Sequence, residues 1–207
     1  MTQLEKNTEE KIFETAKEVF TEKGYEGARM EDISQRAGIN KALLHYYYRT
    51  KEKLFNAIFD MVMGEFFENA ISMMGSEAPL FKKIELFVDA YITLISKNPH
   101  IPNFIINELN RNPERLVTIF KSTPIVKNNA FGKFAEVVQE EIKKGTIEPI
   151  EPIQLIINII GLSLFPIIAK PILMGILFKN DKKKYNEFLE SRKKEVAKFV
   201  INAIRKK

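Results

Sequence analysis

The side chains best suited to intermolecular chemistry are concentrated between residues 29 and 51. This window combines ammonium, guanidinium, imidazole and phenol groups, which can donate hydrogen bonds to phosphate oxygens and to the edges of nucleic-acid bases. We predict a DNA contact surface made by Arg29, Lys41, Ala42, Leu43, His45, Tyr46, Tyr47 and Lys51.

Two short helices joined by a tight turn would position these groups. Ile33 and Ala37 lie on one face of a short helical pattern, and Gly38 after them can adopt the positive φ that such a turn requires. Asn40 is a good N-cap for a second helix, which would carry most of the candidate contacts. The pattern therefore predicts a helix-turn-helix.

Each part of this pattern has a simpler interpretation when it is taken alone. The Ala-Gly-Ile turn could be an ordinary helix corner, and the tyrosines at 46–48 could pack in a core. Residues 51–53 could be a solvated helix start capped by Thr50. The three features occur together in one register, and this co-occurrence favours a DNA-binding helix-turn-helix.

The segment from about Ile12 to Phe59 resembles, without gaps, the DNA-binding domain of the TetR (tetracycline-repressor) family of transcriptional regulators. The resemblance rests on IFETAKEVFTEKGYEGA, DISQRAGI, the aromatic run after it, and TKEKL at the start of a long helix. Three residues depart from the family pattern: His45 replaces a tyrosine, Tyr48 a phenylalanine, and Leu43 a small polar residue. Because His45 and Leu43 lie on or near the reading surface, no relative's operator sequence transfers to this chain.

This resemblance implies an all-α protein with an N-terminal three-helix helix-turn-helix domain and a larger helical domain for effector binding and dimerisation. We place these domains at residues 1–52 and 53–207. The family also implies a homodimer that binds a palindromic operator on double-stranded DNA and usually represses transcription. The two DNA-binding domains of the dimer, which we call heads, would then contact successive major-groove faces about 34 Å apart.

Composition limits the other classes of function. A chain of 207 residues with 45% apolar and 29% charged residues is ordinary for a soluble globular protein. There is no cysteine, the only histidines are His45 and His100, and no paired-carboxylate or phosphate-binding motif is present. We therefore expect no enzyme activity, metal or cofactor. The N-terminal MTQLEKNTEEKIFE does not match a secretory signal, so we expect a cytoplasmic protein.

The net charge of +5 is unevenly distributed along the chain. Residues 1–28 carry four lysines and seven glutamates, whereas residues 29–53 carry six Lys or Arg and three acids. The positive charge is thus concentrated where the DNA contacts are predicted. We interpret the basic runs 182–184 and 205–207 as solvated faces.

Helical spacing of apolar residues, together with the prolines, predicts helices along nearly the whole chain. The first helix should begin near Asn7 or Thr8 and end at residues 23–25. A long helix from Lys51 to about Met74 should connect the head to the rest of the chain. The buried stripe of the first helix is predicted to be Ile12, Ala16, Val19 and Phe20. The later boundaries are predicted at Pro99, Pro102, Pro113, Pro124, Pro149 and Pro152.

Residues 152–178 form an almost wholly apolar segment. As a membrane span it would be short, since the uninterrupted part covers residues 153–169 and contains polar residues and a proline. A helix that is apolar on all sides can also lie between subunits. The resemblance implies a four-helix dimer bundle from about Ile153–Phe165 and Lys182–Ile204, with Gly161 and Ser163 permitting close approach. For the last helix we predict one apolar side, made by Tyr185, Phe188, Leu189, Val196, Phe199, Val200 and Ile204.

Phenylalanines and methionines among the middle helices favour a small hydrophobic effector, whose identity the sequence does not give. The predicted effector-binding residues are Met63, Phe66, Phe67, Tyr91, Phe104, Glu108 and Phe131. Such residues could equally be core packing. An effector that prefers a tilted state of the helix from Lys51 would move the heads out of register and release DNA. The alternative is a dimeric DNA-binding regulator without a small-molecule effector, controlled by protein partners.

Overall fold

The computed structural model describes residues 3–111 and 113–207, and these residues form an all-α protein. The described helices are α1 (Gln3–Gly27), α2 (Met30–Arg36), α3 (Lys41–Tyr47), α4 (Lys51–Gly75), α5 (Leu80–Lys97), α6 (His100–Arg111), α7 (Pro113–Ser122), α8 (Pro124–Lys127), α9 (Ala130–Lys143), α10 (Pro152–Ile168), α11 (Lys170–Ile176) and α12 (Lys182–Ile204). An isolated antiparallel bridge joins Ile147 to Arg205, which follows α12.

Pro99, Pro124 and Pro152 bound helices as predicted, whereas Pro102 lies inside the first turn of α6 and Pro149 lies between α9 and α10. Pro124 and Pro152 are each the first residue of a helix, where the missing N–H of proline costs no hydrogen bond. The predicted start of α1 at Asn7 or Thr8 is wrong, because the helix begins at Gln3. Residues 3–11 are rich in glutamine, glutamate and lysine, whose high helix propensity extends the helix toward the N-terminus.

The first compact unit comprises Met1–Gly64 and Asn98–Leu116. Its core contains the predicted α1 stripe, whose four residues are all fully buried, together with Ile33, Leu44, Phe55 and Ile58. The unit boundary differs from the predicted division between residues 52 and 53. Phe55 and Ile58 complete the core of the head, so the chain leaves this unit only after nearly four turns of α4.

The second compact unit comprises Glu65–Lys97 and Val117–Lys207. Helices α5, α9, α10 and α12 surround a core that contains Ile84, Val88, Val138, Leu155 and Val200. A smaller cluster contains Ile95, Ile167, Met174, Tyr185 and Leu189. Because α12 packs against both α5 and α10, it supplies side chains to the two clusters along most of its length.

Candidate nucleic-acid interface

The turn between α2 and α3 has the conformation that the sequence predicts. Gly38 has a φ of 61°, and its N–H donates to the Gln35 carbonyl at 3.0 Å. Asn40 is the N-cap of α3, since its Oδ1 accepts from the Leu43 N–H at 2.7 Å. Ala37 is fully buried, as expected where two helices meet over a short turn. Residues 30–47 therefore form a helix-turn-helix.

Helix α3 exposes most of the side chains predicted to contact DNA. Lys41, Ala42, Leu43 and Tyr46 are exposed, whereas His45 and Tyr47 are half-buried. Leu44 is fully buried and anchors the helix to the head. The Tyr46 side chain is 79% exposed and its ring meets the Tyr47 ring edge-on, with centroids 5.5 Å apart. This face presents a phenol and an ammonium on a helix small enough to enter the major groove of DNA.

Two aromatic residues near the end of α3 are held by specific contacts. His45 Nδ1 lies 3.1 Å from the Arg49 carbonyl oxygen, which orients the imidazole toward the α3–α4 connection. Tyr48 is buried, and its hydroxyl donates to Glu9 Oε1 at 2.9 Å. Burial, and then this hydrogen bond, raise the pKa of the Tyr48 phenol. The Glu9 partner has no sequence signal, since it lies 39 positions away.

Three cations of the head are paired with acids that sequence reasoning missed. Lys41 pairs with Glu31, and this hydrogen bond holds the pKa of the Glu31 carboxyl below its usual range. Arg36 pairs with Glu22 at 2.6 Å. A further pair links α1 to α2, because Lys23 Nζ lies 2.8 Å from Asp32 Oδ2. The Lys41 ammonium is thus already paired with a carboxylate of the head.

Lys51 differs from Lys41, because its ammonium is held by backbone carbonyls of the head and not by a carboxylate. Nζ donates to the carbonyl oxygens of Tyr25, Ala28 and Glu26 at 2.8, 3.2 and 3.4 Å. Thr50 caps α4 by accepting from the Lys53 N–H at 3.1 Å, which confirms the capping pattern. Arg29 is exposed and extended, with a φ of −120°, directly before α2. The structure thus separates Lys51 from the exposed face of α3.

Comparison with known proteins agrees with this geometry. Residues 12–58 match the sequence family described as bacterial regulatory proteins, tetR family. The chain belongs to the TetR family of transcriptional regulators. It is 31% identical over 117 residues to the biofilm operon icaADBC HTH-type negative transcriptional regulator IcaR of Staphylococcus epidermidis, a match that spans 53% of this chain and 63% of that relative.

Two further similarities extend beyond the head of this TetR-family regulator. The fatty acid metabolism regulator protein of Bacillus subtilis is 26% identical over 138 residues, covering 65% of this chain and 70% of that protein. The crystal structure of the transcriptional regulator FadR from Bacillus subtilis in complex with stearoyl-CoA superimposes with a TM-score of 0.65 at 19% identity, covering 94% and 98% of the two chains. This second likeness establishes the fold alone.

Helix α10 of this regulator carries an exposed apolar stripe. Ile153, Ile157 and Phe165 are 66%, 58% and 64% exposed, and they recur every four or eight residues around Gly161. A Cβ at Gly161 would meet no atom within 4 Å, so this side of α10 is open for close approach. Ser163, which was predicted with Gly161 to permit close approach, does not lie on this open side. It is buried, and its hydroxyl donates to the Ile159 carbonyl at 2.7 Å.

The residues predicted to form one apolar side of α12 mostly pack within their own unit. Phe199 is 65% exposed, whereas five of the seven predicted residues are buried in the core of their own unit. The five are Tyr185, Leu189, Val196, Val200 and Ile204. The reason is that α12 lies between α5 and α10, so most of its apolar residues are needed within the subunit. Of the seven predicted residues, Phe199 is the large apolar side chain that α12 exposes.

The predicted effector-binding residues fall in both compact units. Met63, Phe104 and Glu108 belong to the first unit, and Phe66, Phe67, Tyr91 and Phe131 to the second. The side chains of Met63, Phe66, Phe104 and Glu108 lie outside the described part of the structure. Phe67 is buried and Phe131 is 47% exposed. Tyr91 is half-buried and stacks on Phe87 with ring centroids 5.8 Å apart, and burial raises its pKa to about 12.

Across residues 3–111 and 113–207, no single helix combines the length and the apolar composition needed to cross a membrane. Helices α10 and α11 reach those criteria only when they are taken together, and the pair is bent by 60°.

Proposed function

We propose that this TetR-family regulator acts as a homodimer that binds a palindromic operator through α3 and represses transcription. The observation that carries the proposal is the exposed face of α3, on which Lys41, Leu43 and Tyr46 follow a turn fixed by Gly38 and capped by Asn40. A helix of seven residues buries little surface, so one head alone would bind DNA weakly. Two heads related by a two-fold axis bind tightly and select a palindrome.

The exposed stripe of α10 supports the homodimer. Three large apolar side chains on one helix face cost free energy in water, and burying them against a second copy removes that cost. Gly161 in the middle of the stripe allows the backbones of two α10 helices to approach closely. Phe199 of α12 offers further apolar surface to the same partner.

Selection of bound sequences from random duplexes tests the DNA-binding part of this proposal. We expect a palindromic consensus whose half-sites are separated by about one helical turn of DNA. Tyr46→Ala should lose preference for the consensus, whereas Tyr48→Phe should keep the preference, because the Tyr48 ring is buried. Enrichment of a single asymmetric site, or of no site, would refute the proposal that the protein binds a palindromic operator.

We further propose that a hydrophobic effector of the long-chain acyl class weakens operator binding. The support is the aromatic composition of the second unit around Phe67 and Tyr91, together with the stearoyl-CoA that the FadR structure contains. Titration of the DNA complex with stearoyl-CoA should lower the affinity about 5- to 150-fold. Coenzyme A without the acyl chain is the matched control and should leave the affinity unchanged. An unchanged affinity with both compounds would reject this effector class while leaving DNA binding intact.

A further inference from the structure

Lys51 is the first residue of α4, and its side chain reaches the end of α1. The ammonium has three N–H donors, and the carbonyls of Tyr25, Glu26 and Ala28 provide three acceptors. Nζ also lies 4.6 Å from the centroid of the Tyr25 ring, within the range of a cation–π contact. The donor capacity of Lys51 is therefore matched by groups inside the head.

These carbonyls lie at the end of α1 and directly after it. The backbone leaves the helical conformation at Gly24, where φ is 68° and ψ is 173°, three residues before α1 ends at Gly27. A cation at this position also complements the negative end of the α1 dipole. Lys51 thus connects the first turn of α4 to the segment between Gly24 and Met30, which we call the α1–α2 corner.

We infer that Lys51 is a positioning residue for DNA binding and does not act as a phosphate contact. It holds the α1–α2 corner against α4, so that α2 and the reading helix α3 are presented in a fixed orientation. This assignment rests on the proposed function and replaces the phosphate role that the sequence suggested for Lys51. It also gives the first turn of α4 a direct polar connection to the end of α1.

The salt dependence of DNA affinity separates positioning from phosphate binding. Wild type, Lys51→Met, Lys51→Arg and Lys41→Met are compared on a duplex that carries the selected consensus. We expect Lys51→Met to weaken binding about tenfold, with an unchanged slope of log affinity against log salt. Lys41→Met, which removes an exposed ammonium from each of the two heads, should reduce the slope by about 1.8. Lys51→Arg should restore most of the affinity, because a guanidinium can donate to the same carbonyls. A slope reduced by about 1.8 in Lys51→Met, one lost phosphate contact in each head, would overturn the inference.

Amide hydrogen exchange supplies a test that needs no DNA. Exchange in the α1–α2 corner should become about tenfold faster in Lys51→Met. It should be unchanged in Lys53→Met, which removes an exposed lysine from the same turn of α4. Unchanged exchange in Lys51→Met would overturn the inference whether or not DNA binds. If the wild type bound no selected duplex, the proposed function would fail, and exchange would still decide whether Lys51 holds the corner.

Discussion

Arg192 of α12 donates a hydrogen bond from Nη2 to the Leu162 carbonyl of α10 at 2.6 Å. In a regular helix this carbonyl would accept from the N–H of residue 166, but that residue is Pro166 and has no N–H. Arg192 therefore replaces the hydrogen bond that the proline removes. The Tyr185 hydroxyl, also on α12, donates a hydrogen bond to the Pro166 carbonyl at 3.0 Å. Together the two side chains stabilise α10 where its backbone bonding is interrupted.

Replacement of Arg192 should lower the free energy of unfolding. In Arg192→Met the apolar stem remains, while the Leu162 carbonyl loses its donor, so we expect a loss of about 1–2 kcal/mol. Urea unfolding at a fixed protein concentration measures it, because dimerisation would otherwise alter the midpoint. Lys194→Met, an exposed change on the same helix, is the control.

A double-mutant cycle tests the stated cause. In a Pro166→Ala background residue 166 can donate to Leu162 again, so Arg192→Met should cost less there than in the wild type. An equal cost in both backgrounds would mean that Arg192 stabilises α12 by packing on Phe188, whose ring centroid lies 6.0 Å from its guanidinium carbon.

Glu31 should limit the DNA affinity of the head. Its carboxylate is ionised at neutral pH and holds Lys41, and both side chains are more than half exposed at 57% and 54%. Glu31→Gln should therefore tighten DNA binding, by about two- to fivefold for a surface pair of this kind. Fluorescence anisotropy on a labelled duplex measures the change at one salt concentration.

The matched control is Glu14→Gln, which changes the net charge equally but removes the partner of Lys17 on α1. If Glu14→Gln tightened binding as much as Glu31→Gln, the effect would be one of overall charge. The gain from Glu31→Gln should also disappear in a Lys41→Gln background, since the competing carboxylate then has no cation to hold.

His100, at the start of α6, should make the stability of the protein depend on pH. Its side chain is buried, and burial, followed by the Lys17 charge, lowers its pKa from 6.5 to about 4. The unfolded chain therefore takes up a proton below about pH 6.5 while the folded state remains neutral. The free energy of unfolding should fall as the pH decreases from about 6.5 toward 4, on the order of 1–3 kcal/mol from this group.

Urea unfolding between pH 7 and pH 4 measures this contribution when the wild type is compared with His100→Gln. Other groups titrate in both proteins, so the difference between the two pH profiles isolates the imidazole. The wild type should lose more stability than the variant over this range. Parallel profiles would show that His100 is protonated as readily in the folded state as in the unfolded chain.

Local sequence signals were sufficient for the core of the head. The Gly38 turn, the Asn40 cap and the buried α1 stripe each depend on residues within a few positions of one another, and all were confirmed. The contacts of Lys51 were not predictable, because its acceptors lie 23 to 26 positions earlier in the chain. Side-chain contacts of this length depend on how the helices pack, which periodicity does not specify.

What the apolar side of α12 packs against was not predictable for a related reason. Helical spacing identifies which residues can share a face, but it does not distinguish a face that packs within the subunit from one that packs on a partner. In α12 most of the apolar residues serve the internal core, and Phe199 alone of the predicted seven is strongly exposed. The exposed stripe of α10 became identifiable only once the internal neighbours of Leu155 and Ile159 were known.

The oligomeric state should respond to a charge placed in that α10 stripe. Ile157 is 58% exposed and lies one turn from Gly161, so Ile157→Asp should leave the subunit folded but oppose burial of the stripe against a second copy. Light scattering coupled to size-exclusion chromatography should show a monomer for Ile157→Asp and a dimer for the wild type. Leu86→Asp, which changes an exposed apolar residue of α5 in the same way, should remain a dimer.

The Ile157→Asp and Leu86→Asp variants also separate dimerisation from DNA recognition. Monomeric Ile157→Asp should keep its helical circular dichroism and lose palindrome binding, because a single α3 contacts only one half-site. A dimeric Ile157→Asp would place the subunit interface elsewhere than on α10. A monomeric variant with full palindrome affinity would show that the heads recognise DNA without being joined, and the link between the α10 stripe and operator binding would be lost.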